Sequence, residues 1–114
     1  PDKALEILKD QLKYVDEKKV ILVEDIIRKV AETFKVSTVD IKSKKRNQSI
    51  ALARNVAMYL ARELTNFSTT EIGLSFGGKD HSTILHAFSK IQSMMKEDDV
   101  LRITIESLKK ELTI

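Results

Sequence analysis

Between residues 68 and 80 the chain carries two helix starts and one sharp stop, and this punctuation constrains the fold more than any other stretch. Ser68-Thr69-Thr70-Glu71 is an S-x-x-E capping box, in which the serine hydroxyl and the glutamate carboxylate each satisfy a backbone N–H at a helix start. Gly77-Gly78 ends the short helix, expected over 69–75, because glycine takes the positive φ values of a tight turn and lets the next helix cross closely. Asp80 then caps a second helix, expected over about 81–95. In that helix Ile84, Leu85, Phe88, Ile91 and Met95 should point inward, and His81, Ser82, Thr83, Ala87 and Lys90 outward or to the flank.

Apolar residues elsewhere also recur at helical spacing, and no stretch alternates with period two, so the expected class is all-α, a helical bundle containing a helix-turn-helix. A helix over about 24–35 places Ile26, Ile27, Val30, Ala31 and Phe34 inward, and a connector over 36–41 is anchored by Val39 and Ile41. Ser49 caps a central helix that runs to about Leu64, with Val56, Ala57, Leu60, Ala61 and Leu64 on the core. A last helix over about 98–112 contributes Leu101, Ile105, Leu108 and Leu112. Residues 3–15 carry Ala4, Leu5, Leu8, Leu12 and Val15 on one stripe, followed by the charged run Asp16 to Lys19. The expected organisation is therefore a linker helix over 1–19 and a helix-turn-helix domain over 20–114.

With 114 residues there is room for one compact domain, and 42% hydrophobic with 32% charged residues excludes the disordered and low-complexity classes. No apolar run approaches the roughly 18 residues of a membrane span. The start, Pro1-Asp2-Lys3, has neither an initiator Met nor a signal-peptide core, and reads as a piece of something longer. The absence of cysteine removes disulfides, thiolate nucleophiles and Cys-based zinc sites, and fits a reducing, cytoplasmic compartment.

The net charge of +3 is modest, but its distribution is not even. Residues 42–66 hold Lys42, Lys44, Lys45, Arg46, Arg54 and Arg62 against the single acid Glu63, while both ends of the chain are net acidic. A basic centre between acidic ends suggests a polyanion met by one patch. A helix-turn-helix suits double-stranded DNA, because the major groove admits one helix whose first residues offer short donors, acceptors and methyl groups to base edges. Lys79, Asp80, His81, Ser82 and Thr83 form such a set, with Lys as donor to guanine, Asp as acceptor from the cytosine amine and Thr with a hydroxyl and a methyl. One helix earlier, the loop Lys42 to Gln48 can reach phosphates or the minor groove, where Arg46 is the best candidate.

Other chemistries are weaker. Gly73, Gly78 and Lys79 satisfy G-x-x-x-x-G-K, but a capped helix precedes them instead of a strand, and Asp80 stands where a P-loop needs a hydroxyl. His81 and His86 are five apart and lack companion ligands, so no metal is expected, and His86 is read as a hydrogen-bonded packing residue. Neither a nucleophilic triad nor paired catalytic carboxylates can be assembled, and the aromatics lie at core-facing positions, so the chain is read as a non-enzyme without a single-strand stacking platform. The competing class is a helical interaction module whose basic face binds an acidic protein.

The run Phe76-Gly77-Gly78-Lys79-Asp80-His81-Ser82-Thr83-Ile84-Leu85-His86-Ala87 resembles the signature of the bacterial chromosomal replication initiator family DnaA, in its C-terminal DNA-binding domain. Ser43-Lys44-Lys45-Arg46, Ala57-Met58-Tyr59-Leu60-Ala61-Arg62-Glu63-Leu64-Thr65 and Glu71-Ile72-Gly73 are similar to that family too, and the likeness runs from about Val20 onward. The resemblance implies binding to DnaA boxes, A/T-rich duplex sites of roughly nine base pairs in the replication origin. It implies Arg46 in the minor groove, Lys79 to Thr83 in the major groove, and Arg54, Asn55, Arg62, Thr69 and Thr70 on the sugar-phosphate backbone, helped by Lys44 and Lys45. It further implies that residues 1–19 lead to an ATPase core, that ATP belongs to that core with no cofactor in this piece, and that the piece is monomeric. Three positions depart from the family's usual pattern: Lys79 for arginine, Ser82 for threonine and Asn55 for glutamine.

Overall fold

The computed structural model describes Val20–Ile114, and the expected linker helix over 1–19 lies outside the described residues. Among the described residues six helices and no strand are present: α1 Val23–Phe34, α2 Thr38–Lys42, α3 Gln48–Leu64, α4 Thr69–Ser75, α5 His81–Glu97 and α6 Asp99–Thr113. None is long and apolar enough to cross a membrane.

Helix α3 organises the bundle. It touches each of the other five helices, and the unbroken buried run from Val56 to Ala61 follows, because a helix surrounded by neighbours has no solvent face. Small residues Ala53, Ala57 and Ala61 let partners approach, while Leu60, Met58 and Tyr59 fill the space between them. Around α3, Ile26, Ile27 and Val30 close one side from α1, Ile84 and Ile91 another from α5, and Leu101, Ile105 and Leu108 a third from α6.

Local capping sets the boundaries. The Ser68–Glu71 box is formed reciprocally, with Glu71 N–H donating to Ser68 Oγ at 3.1 Å and Ser68 N–H to Glu71 Oε1 at 3.2 Å. Asp98 ends α5 and caps α6 by accepting from Leu101 N–H at 3.0 Å. The expected cap at Ser49 is displaced: α3 begins at Gln48, with Asn47 at the cap position and no side-chain capping bond.

Two expectations about facing are corrected. The connector expected over 36–41 contains a helix of its own, because Ser37 Oγ accepts from Asp40 N–H at 3.0 Å and starts the short helix α2. Residues two apart in a helix point to different sides, so Ile41 is fully buried while Val39 is 74% exposed. In α5 the buried line is Ile84, Ala87 and Ile91, spaced by three and four; Leu85 sits off it and is 39% exposed, and Ala87, expected outward, is 2% exposed. Phe88 and Met95 are half-buried.

Phe76, directly after α4, is the largest fully buried side chain and fastens the turn to the core. Phe76→Ala is expected to lower the unfolding free energy by about 3–5 kcal/mol in urea denaturation. A change within about 0.5 kcal/mol, the scatter of surface substitutions, would contradict this role.

Candidate nucleic-acid interface

The turn between α4 and α5 is folded onto one oxygen. Gly73 O accepts from the N–H groups of Phe76 (3.1 Å), Gly78 (3.1 Å) and Lys79 (2.9 Å). Gly77 and Gly78 both hold positive φ, 82° and 84°, which brings the chain back across α4. The approach is so close that a Cβ on Gly73 would lie 2.0 Å from Lys79 O, and one on Gly77 would lie 2.4 Å from Lys42 O. The first glycine packs the α5 lead-in on α4, and the second packs the turn on the end of α2.

Two cations complete that second contact. Arg54 from α3 donates through Nε to Ile41 O at 2.8 Å and through Nη2 to Asp40 O at 3.0 Å. Lys79 Nζ donates to Lys42 O (3.4 Å), Ser43 O (3.3 Å) and Phe76 O (3.1 Å). Burial lowers the pKa of both groups; the nearby charges of Arg54 and Lys44 lower that of Lys79 further, while the Asp40 carboxylate opposes the shift on Arg54.

Beyond this junction the basic loop is open. Lys44 and Arg46 are exposed and have no ion pair among the described residues, whereas Lys45 Nζ sits 3.0 Å from Asp40 Oδ1. Arg46 and Asn55 line one shallow concavity of about 330 Å³ together with Gln48, Ala51, Leu52, Lys90 and Met94. Lys90 and Gln48 were given no role in the sequence reading; only the packing of α5 beside α3 brings Lys90 next to the loop.

At the start of α5, His81, Ser82 and Thr83 are all exposed. Asp80 Oδ1 accepts from Thr83 N–H (2.9 Å), Thr83 Oγ1 (2.8 Å) and Ser82 Oγ (3.0 Å). Both hydroxyl protons are thereby committed, and the oxygens offer lone pairs to a ligand. The remaining expected contacts lie apart from this cluster: Arg62 stacks its guanidinium 5.3 Å from the centre of the Phe88 ring, and Thr69 and Thr70 open α4. His86 is exposed, which corrects its reading as a packing residue. Among the described residues no cluster of three or more metal-ligating side chains occurs.

The bonds from Thr83 N–H, the Thr83 hydroxyl and the Ser82 hydroxyl hold the Asp80 carboxyl below its ordinary pKa. A depressed folded pKa stabilises the fold fully above the ordinary carboxylate value, and this stabilisation is lost as pH falls through the folded one. Asp80→Asn should therefore lose less of its urea midpoint than the unsubstituted chain between neutral pH and about pH 3, below the ordinary carboxylate value. Parallel curves for the two would show that the Asp80 charge does not stabilise this helix start.

The family model described as "Bacterial dnaA protein helix-turn-helix" matches residues 23–91. The chain is 50% identical over 93 residues to the chromosomal replication initiator protein DnaA of Streptococcus mutans, covering 82% of this chain and 21% of that protein. The DnaA protein of Streptococcus agalactiae is 52% identical over 93 residues, with 82% and 20% covered. A crystal structure described as a DNA replication initiation factor superposes with a TM-score of 0.72 at 28% identity, covering 98% of this chain and 36% of that one. The chain spans about a fifth of the length of the curated relatives it matches. The match to the family model over both glycine-built contacts and all of the turn, supported by half-identical relatives, shows that this chain belongs to the bacterial DnaA helix-turn-helix family.

Proposed function

We propose that this chain reads double-stranded DNA in a sequence-specific way and places a replication initiator on DnaA boxes at the origin. The observation that carries the reading is the fastening of the exposed Arg46 loop beside the exposed start of α5, two elements from distant parts of the chain on one basic edge. In this reading α5 enters the major groove and presents Asp80, His81, Ser82 and Thr83 to base edges. Arg46 reaches the adjacent minor groove, whose negative potential is greatest where A·T pairs narrow it. Lys44, Lys45, Asn55, Arg62, Thr69 and Thr70 hold the sugar-phosphate backbone, with Arg54 of α3, which also donates to the Asp40 and Ile41 carbonyls of α2. Residues 1–19 are the tether to an ATPase core that binds ATP, and the reading asks no cofactor of the domain itself.

Fluorescence anisotropy on a box duplex and a scrambled duplex, at several salt concentrations, tests this. A specificity ratio of roughly 10³ with a steep salt slope is expected. Equal, salt-sensitive binding to both would replace the reading with a basic module for an acidic protein. Arg46→Ala should weaken box binding more than scrambled binding, and equal losses would remove its minor-groove role. His81→Ala and Thr83→Ala should each cost about 1–3 kcal/mol of box discrimination while keeping non-specific affinity; an unchanged ratio would refute them as readers.

A further inference from the structure

We propose that Lys79 is a positioning residue: its ammonium ties the end of α2, and with it the Arg46 loop, to the first turn of α5, so that the two reading elements meet the duplex in a fixed register. This rests on the reading of the chain as a two-groove DNA reader.

The five residues of α2 make a helix too short to hold itself together in water, and its last carbonyls form the negative end of the helix with no partners of their own inside it. Four consecutive carbonyls, Asp40 to Ser43, are met by cations from elsewhere in the chain, and Asp40 O also accepts from Ser43 N–H at 3.1 Å and from the Ser43 hydroxyl at 2.6 Å. Arg54 takes the first two from α3, and Lys79 takes the last two from the lead-in of α5. Ser43 O is the carbonyl that opens the basic loop, so the lysine grips the loop at its root, three residues before Arg46.

The third bond of Lys79, to Phe76 O, decides between positioning and reading. An ammonium has three donors and no acceptor, and all three are committed to backbone oxygens. In this arrangement none remains for guanine or phosphate, whereas Lys44 and Arg46, two loop cations without an ion pair among the described residues, keep theirs. Gly77 adds shape to the same contact, since its missing Cβ is what lets Lys42 O approach the turn. Lys79 thus spans three segments, 42–43, 76 and its own, at the point where the loop and the recognition helix diverge.

The test is a double-substitution cycle on the 114-residue chain with box and scrambled duplexes. Lys79→Met keeps the aliphatic stem and removes the donors. It is expected to reduce box discrimination about tenfold, in the range of couplings between neighbouring groups, with the salt slope unchanged. In the Arg46→Ala background most of that loss should disappear, because the lysine acts through the loop. A slope lowered by about 0.9, the signature of one lost phosphate contact, together with losses that add to those of Arg46→Ala, would overturn the proposal and make Lys79 a DNA contact. Should Lys79→Met fail to fold by circular dichroism, Lys79→Gln, which keeps two N–H donors, goes through the same cycle, with a smaller loss and the same non-additivity expected and additive losses overturning the proposal. If the unsubstituted chain does not prefer the box, the two-groove reading fails; if it does and the cycle is additive, only the role of Lys79 fails.

Discussion

One backbone oxygen, Gly73 O, carries the geometry of the edge formed by the basic loop and the start of α5. Three N–H groups converge on it, and they can do so only because the residue bearing it has no side chain to keep Lys79 O away. Removing that contact would leave no fixed angle between α4 and α5. Gly77 repeats the device one step later against Lys42 O, and so converts a local turn into a tertiary junction with α2. The two glycines have different tasks: the first sets the angle of the recognition helix, and the second fixes what stands beside it.

Electrostatics follows from this packing. Burial at this junction lowers the pKa of Lys79, and the nearby charges of Arg54 and Lys44 lower it further. The cost is offset by the carbonyl ends of a very short helix, which supply partial negative charge, and at Arg54 by the Asp40 carboxylate as well. The outcome is a basic edge whose inner cations are held by backbone and whose outer ones, Lys44 and Arg46, are exposed without an ion pair among the described residues. Two acids pair with cations beside this junction, Asp40 with Lys45 and Glu24 with Lys42.

What was legible in the sequence was what local chemistry decides. The capping box at Ser68, the glycine pair and the Asp80 cap all formed at the expected residues, because each depends on neighbours within four positions. The all-α class followed from periodicity in the same way. What was not legible depended on distant parts of the chain. Val39 and Ile41 could be assigned to opposite sides only once residues 38–42 were known to coil. Ala87 could be placed inside, and Leu85 outside, only once α3 lay against α5. The partners of Lys79 and Arg54 left no trace in the sequence at all, since they are main-chain oxygens that any residue would provide. Lys90 joined the concavity beside Arg46 for the same reason, through packing of α5 and not through spacing.

The central claim is that the Arg46 loop and the start of α5 form one rigid edge. It is tested most directly by titrating the isotope-labelled chain with a box duplex and following backbone amide signals by NMR. The account predicts that amides of 44–48 and 79–83 move together and saturate along one binding curve, while those on the outer faces of α1 and α6 stay in place. Shifts confined to one of the two segments, separate curves for them, or a footprint centred on α1 and α6 would contradict it.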